Sequence, residues 1–317
     1  MNAPAILLMG PTGAGKSDVA VQLARGLPVE IVSVDSALVY RGMDIGTAKP
    51  AADIRRELPH HLVDIVDPAD AYSTGRFLED AARAMADIRG RGRVPLLVGG
   101  TMLYFRALQS GIAKLPAADP AVRRRIDARA AAAGWPALHA ELARLDPAAA
   151  ARIRPGDRQR IQRALEVIEL TGRPVSAAHR QDLRAGSRVG DLKLVLAPAD
   201  RALLSARIEQ RFAGMMELGL VEEVRSLYGR GDLGPGLPSI RAVGYRQIWT
   251  YLAGEASLPQ AVERAVVATR QLARRQLTWL RAEPGAEWFD PLEKTARAQI
   301  EARVAAWMEA DGYLEPD

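Results

Sequence analysis

The chain has 317 residues, of which 48% are hydrophobic and 26% charged, with a formal net charge of +5. That length is long for one domain and comfortable for two, and either way it can bury a large core. With no cysteine and four scattered histidines, disulfides and thiolate metal sites are excluded and a structural zinc site is not expected.

Ala5 to Met9 is an apolar run too short for a signal peptide, and it reads as a first strand. It leads into Gly10-Pro11-Thr12-Gly13-Ala14-Gly15-Lys16-Ser17, which matches G-x-x-x-x-G-K-[ST] at each fixed position. Such a loop wraps its backbone around phosphate oxygens, with the following helix N-terminus adding positive potential. Lys16 is placed to neutralise phosphate charge, and the Ser17 hydroxyl to ligate Mg²⁺. Lys16 to Leu27 then carries Val19, Leu23 and Leu27 at helical spacing.

Glu30 to Val34, Leu62 to Val66, Val94 to Val98 and Leu192 to Leu196 read as further strands. Strands alternating with helices predict an α/β fold, a parallel sheet covered on both faces. Asp35 ends the second strand, at the crevice where such sheets bind ligands. It suits a water-mediated Mg²⁺ contact, a general base or a simple turn cap. Val94 to Val98 runs into Gly99-Gly100-Thr101, which fits either close backbone approach to a ligand or a tight turn with a threonine cap.

From about Pro120 to Arg184 the pattern is helical and polar. Asp119-Pro120 and Asp146-Pro147 mark helix starts, and Gly134 and Gly172 mark stops. The expected organisation is a P-loop NTPase-like parallel-sheet core, residues 1–115 and 190–317, interrupted by a helical insertion over 116–189. Gly111 to Gly190 holds 15 Lys and Arg against 8 Asp and Glu, so the basic surplus is local. Charge alone leaves a solvated helical surface and a polyanion-binding patch equally open.

Within that segment Gln159-Arg160-Ile161-Gln162-Arg163 places polar side chains on one helical face, suited to phosphates or base edges or simply to solvent. Ala199 to Gly229 is helical, with Leu204, Ile208, Phe212 and Met215 as its buried stripe and Arg207 and Arg211 together on an adjacent face. A Gly/Pro loop follows to Ser239. Gln260 to Leu280 is another long helical stretch, and Arg270, Arg274, Arg275 and Arg281 lie around Trp279 in a span with no acidic residue. Such interleaving is a signature of RNA contact. The last dozen residues are expected to fray. No run of apolar residues reaches the ~18 needed to span a membrane, and a cytoplasmic address is expected. No surface stripe announces a partner, so a monomer is expected.

These blocks together resemble the bacterial tRNA dimethylallyltransferases, also called tRNA isopentenyltransferases. The resemblance rests on Gly10 to Ser17, Ser33 to Tyr40, Met43 to Pro50 and Leu96 to Tyr104. It continues through Arg160 to Glu166, Leu237 to Gln247 and Thr269 to Gln276. It implies transfer of a dimethylallyl group from dimethylallyl diphosphate to N6 of adenosine 37, beside the tRNA anticodon, with Mg²⁺ near Ser17. By resemblance, Gly10, Thr12, Gly13, Ala14, Gly15, Lys16 and Ser17 hold the diphosphate of the donor, and Arg211 (or Arg207) clamps it. Asp35 is the implied general base and Thr101 the residue that orients the adenine. The anticodon stem-loop is expected to meet Ser36, Ala37, Leu38, Arg123, Gln159, Arg160, Ile161, Gln162, Arg163, Arg241, Gly244, Tyr245, Arg274, Arg275 and Trp279. A small-molecule or nucleotide kinase shares the P-loop, but it does not predict the basic insertion or the arginine-rich C-terminal helices.

Overall fold

The computed structural model describes residues 4–113, 115–177 and 192–314. The chain divides into two compact units, one of Met1–Leu108 with Arg188–Asp317 and one of Gln109–Ser187. The first is built on a six-stranded sheet of β1 (Ile6–Met9), β2 (Val29–Val34), β3 (His60–His61), β4 (Val94–Gly99), β5 (Leu192–Leu196) and β6 (Glu287–Phe289). The strand order is β3-β2-β4-β1-β5-β6 and each pairing is parallel.

Both sheet faces are covered, which is why its strands read as continuous apolar runs. Leu7 and Met9 of β1 enter one core with Val32, Val34, Phe77, Leu97 and Phe105. Ile6 and Leu8 enter the other, with Ile31, Leu96, Leu194, Val304 and Trp307. The helices that supply these layers include α1 (Lys16–Gly26), α2 (Ala52–Glu57), α3 (Thr74–Gly90) and α4 (Met102–Ser110).

The second unit contains α5 (Pro120–Ala133), α6 (Trp135–Leu145), α7 (Pro147–Ala150) and α8 (Arg158–Thr171) around Val122, Ile126, Leu138, Leu142, Ile161 and Leu165. Its helix boundaries fall at the expected Asp119, Asp146, Gly134 and Gly172, and Asp157 adds a start not singled out from the sequence. Asp119, Asp146 and Asp157 accept backbone N–H groups as N-caps. Gly172 ends α8 in the left-handed conformation, φ 66°.

The first unit continues with α9 (Arg201–Glu217), α10 (Leu220–Tyr228), α11 (Tyr245–Leu252), α12 (Leu258–Leu280) and α13 (Ala296–Ala310). Leu204, Ile208, Phe212 and Met215 form the buried stripe of α9.

Several expectations need correction. Leu62 to Val66 is not a strand. Leu62 and Asp64 have φ of 63° and 57°, and the Asp64 carboxylate is drawn to Lys49 and Arg55. Instead of a ladder, the stretch has a single isolated Tyr40–Val66 bridge and turn-like hydrogen bonds from the Asp64 and Ile65 N–H groups to the Leu38 and Val39 carbonyls. The helical stretch from Ala199 is broken at Gly219, φ 95°. The last dozen residues do not fray at their start, because α13 runs to Ala310 and buries Trp307 and Met308. The part of the expected helical insertion over 178–189 lies outside the described residues. Among the described residues, no helix is long and apolar enough to cross a membrane.

Candidate active site

The order of the sheet gathers the site. β2, β4 and β1 are adjacent and in register, so Val34 and Met9 both lie opposite Gly99. The residues that follow, Asp35, Gly10 and Gly100, therefore leave the carboxyl edge side by side. This is the edge at which parallel α/β sheets bind ligands.

Glycine at these exits answers to close packing. A Cβ on Gly10 would stand 2.3 Å from the Leu196 carbonyl, one on Gly99 2.0 Å from that of Val34, and one on Gly100 2.4 Å from Gln276 Nε2. Gly13 and Gly15 have φ of 82° and 89°, which lets the P-loop curl before α1 begins at Lys16.

Three cations converge on the loop. Lys16 Nζ donates to the Pro11 carbonyl at 2.8 Å, Arg207 Nε to the Gly13 carbonyl at 3.1 Å, and Arg211 Nη1 to Thr12 Oγ1 at 3.2 Å. Burial lowers the pKa of Lys16 to about 8, with the Arg211 charge acting in the same direction and Asp35 opposing both. Burial also depresses Arg211, with Asp35 again the opposing charge. A half-buried cluster with this excess of positive charge is suited to an anion.

Asp35 Oδ1 accepts the N–H groups of Ala37 at 2.8 Å and Leu38 at 3.3 Å. This turn orients the carboxylate and leaves Oδ2 without a hydrogen bond among the described residues. The Thr101 N–H reaches back to the Val34 carbonyl at 3.3 Å, so Thr101 and Asp35 flank the same strand end.

A cavity of about 510 Å³ opens over these groups, within the range of small-molecule sites. Of the residues singled out from sequence, it brings together Thr12, Asp35, Ser36, Ala37, Thr101, Arg211, Arg241, Tyr245, Arg275 and Trp279. Gly10, Gly13, Ala14, Gly15, Lys16, Ser17, Leu38, Gly244 and Arg274 are not among the residues that line it. The cavity also takes in residues given no role at the site from the sequence. Ile208, Phe212 and Met215 come from the buried stripe of α9, Gly46 and Thr47 from the loop after β2, and Leu272 and Gln276 from α12.

Tyr245, expected at the RNA, is committed elsewhere. It is buried, and its hydroxyl donates to Glu223 at 2.5 Å. Glu223 also accepts the N–H groups of Asp44, Ile45 and Gly46, at 2.8, 2.7 and 3.1 Å. Tyr245 therefore shapes the cavity wall with its ring, while its polar end is taken. Burial and the Glu223 carboxylate push that phenol up.

In the helical unit the sequence expectations need sharper correction. Ile161 is fully buried in its core, so its side chain serves packing and cannot touch RNA. Arg123 forms a two-pronged pair with fully buried Glu166, at 2.9 and 3.2 Å. Arg163 donates to the same carboxylate and to the Pro116 carbonyl, each at 2.7 Å. These two arginines hold a buried charge. Gln162 donates to Asp127 at 2.6 Å. Gln159 and Arg160 remain exposed, Arg160 with a surface pair to Asp157.

A metal fits the P-loop only in company. Among the described residues no three His, Cys, Asp or Glu side chains gather to hold an ion. The donor on offer is the exposed Ser17 hydroxyl at the start of α1, which suits a cation that keeps waters and takes phosphate oxygens, as Mg²⁺ does.

A family model described as IPP transferase matches residues 38–283. A tRNA dimethylallyltransferase from Thioalkalivibrio sulfidiphilus is 60% identical over 310 residues, covering 98% of this chain and 97% of that protein. One from Methylococcus capsulatus is 56% identical, covering 95% and 98%. Among solved structures, the full-length tRNA isopentenylpyrophosphate transferase of Bacillus halodurans is 36% identical with a TM-score of 0.70, covering 99% of both chains. A eukaryotic dimethylallyltransferase acting on tRNA, 24% identical, shares the fold at a TM-score of 0.80, with 99% of this chain and 81% of that one covered. The α/β unit with its P-loop, and the match that runs through nearly the whole chain, lead to one conclusion: this chain belongs to the IPP transferase family.

Proposed function

We propose that the site transfers a dimethylallyl group from dimethylallyl diphosphate to N6 of adenosine 37 in tRNA, with release of diphosphate. The activity is that of a tRNA dimethylallyltransferase, as in its relatives. The observation that carries the residue assignment is the convergence of Lys16, Arg207 and Arg211 on the P-loop one strand away from Thr101 and two from Asp35.

In this reading the P-loop amides, Lys16 and Arg211 hold the diphosphate of the donor. Ser17 would hold Mg²⁺, which when bound adds charge stabilisation to the leaving group. The adenine N6 attacks C1 of the prenyl chain, and the C1–oxygen bond breaks with its electron pair leaving on diphosphate. The proton released from N6 passes to Asp35 Oδ2. An adenine amine is a weak nucleophile, so a base that takes its proton as the bond forms is useful. Growing negative charge on the departing oxygen is met by cations already in place. Ile208, Phe212 and Met215 offer the prenyl chain an apolar wall that excludes water. Thr101 orients the base, which must be turned out of the anticodon loop to reach it. Arg241, Arg274, Arg275 and exposed Trp279 in the first unit, and Gln159 and Arg160 in the helical one, are the tRNA contacts of this reading.

The test is Asp35→Ala. Single-turnover transfer of label from dimethylallyl diphosphate should fall by about 10²–10⁴-fold, with tRNA affinity within about twofold of the parent. Unchanged turnover would remove Asp35 as the base.

A further inference from the structure

Gln276 lies on α12, and its side chain reaches between two loops that leave adjacent strands. Its Oε1 accepts the Thr12 N–H at 2.9 Å, and its Nε2 donates to the Gly100 carbonyl at 2.9 Å. One amide thus uses both ends, across 264 residues of sequence in one bond and 176 in the other. The Thr12 N–H belongs to the P-loop, and Gly100 precedes Thr101. A Cβ on Gly100 would come within 2.4 Å of Gln276 Nε2, so the glycine makes room for this amide.

We infer that Gln276 is a positioning residue that locks the diphosphate-binding loop to the Thr101 loop and so fixes the donor against the acceptor base. The inference rests on the function proposed above. In-line displacement requires the attacking nitrogen, C1 and the leaving oxygen to be aligned, and misplacement by about 1 Å can cost about 10²-fold in rate. The two substrates are held by loops from different strands, and their spacing is set where the strands end. Among the described residues, Gln276 is the side chain hydrogen-bonded to both loops. Asparagine is one methylene too short to span the same gap, and glutamate keeps the acceptor but sets a carboxylate against the Gly100 carbonyl.

The experiment compares the full-length protein with Gln276→Met, which keeps shape and removes both hydrogen bonds. kcat for labelled dimethylallyl transfer should fall about 10–100-fold. KM for dimethylallyl diphosphate and the Kd for tRNA should each change less than about threefold. Gly100→Ala, which displaces the amide, should give a similar fall in kcat. Combined with Gln276→Met it should cost little more than either alone, as expected of residues acting through one interaction. Hydrogen exchange of the peptide containing Thr12 should be faster in Gln276→Met than in the parent. That readout holds even if the parent transfers no label, an outcome that would sink the proposed function and leave the link itself still on trial. Parent-like kcat in Gln276→Met overturns the inference. So does a fall of equal size in tRNA affinity, which would make Gln276 an RNA contact, and so does unchanged exchange at Thr12.

Discussion

Lys16 is half-buried, and its surroundings change its titration. Burial and the neighbouring Arg211 charge bring its pKa to about 8, so in the free protein it is charged below that pH and gives up its proton above it. A bound diphosphate favours the charged form, so binding above pH 8 must take up a proton. Affinity for pyrophosphate, measured by calorimetry and corrected for the ligand's own protonation, is expected to be level below about pH 8 and to fall as pH rises through it. Lys16→Arg should remove that step, because a guanidinium keeps its proton throughout. Retention of the same step in Lys16→Arg would assign it to another group. Such a shift is invisible in a motif, since it depends first on burial and then on Arg211, which stands 195 positions away in the chain.

At the scale of elements, the basic helical unit differs from its sequence profile. A charge count there points to a largely free cationic surface, yet much of it is engaged. Arg125 and Arg129 pair with Glu169, and Arg129 also with Glu141, while Arg123 and Arg163 grip Glu166. Burial alone would push the Glu166 carboxyl up. The guanidinium donors and the Asp119 N–H overcome this and hold it below the usual range. Its stabilisation is present above the unfolded pKa and disappears as pH falls through the lower folded value. Glu166→Ala would empty a core position and remove the acceptor of the Asp119 N–H and of two half-exposed arginines, and should cost about 1–3 kcal/mol, read by denaturant unfolding of the full chain. A cost near zero would contradict the structural role of this cluster. Arg123→Ala should lower the melting temperature as well as any tRNA affinity, whereas Arg160→Ala should leave the melting temperature unchanged.

Across the whole molecule, what could be read from sequence divides along physical lines. The P-loop, the Asp35 exit and the Gly99-Gly100-Thr101 exit were legible because each is a local pattern following an apolar strand. The helix caps of the helical unit were legible because Asp-Pro and Gly act on adjacent backbone. Contacts between distant elements were not. Gln276 meets Thr12 only because α12 returns to the sheet edge, and Ile161 looks like its polar neighbours until the packing of α8 buries it. β6 is a three-residue edge strand with Trp288 exposed, too short and too wet to announce itself. Leu62 to Val66 has strand-like residues, but ion pairing of Asp64 and two positive φ angles bend it away.

The exposed cations of α12 are expected to account for much of the salt dependence of tRNA binding. Replacing Arg274 and Arg275 by alanine together should reduce the slope of log K against log salt by about 0.7–0.9 for each phosphate that is no longer neutralised. An unchanged slope would place the phosphate-binding cations elsewhere.

In the proposed function the P-loop holds a leaving group and not an energy source. The most direct measurement incubates the protein with Mg²⁺, unmodified tRNA bearing A36-A37, and either labelled dimethylallyl diphosphate or labelled ATP. Label should appear on N6 of adenosine 37, with one diphosphate released per transfer and no ATP consumed. ATP turnover or phosphoryl transfer without prenylation of the tRNA would contradict it.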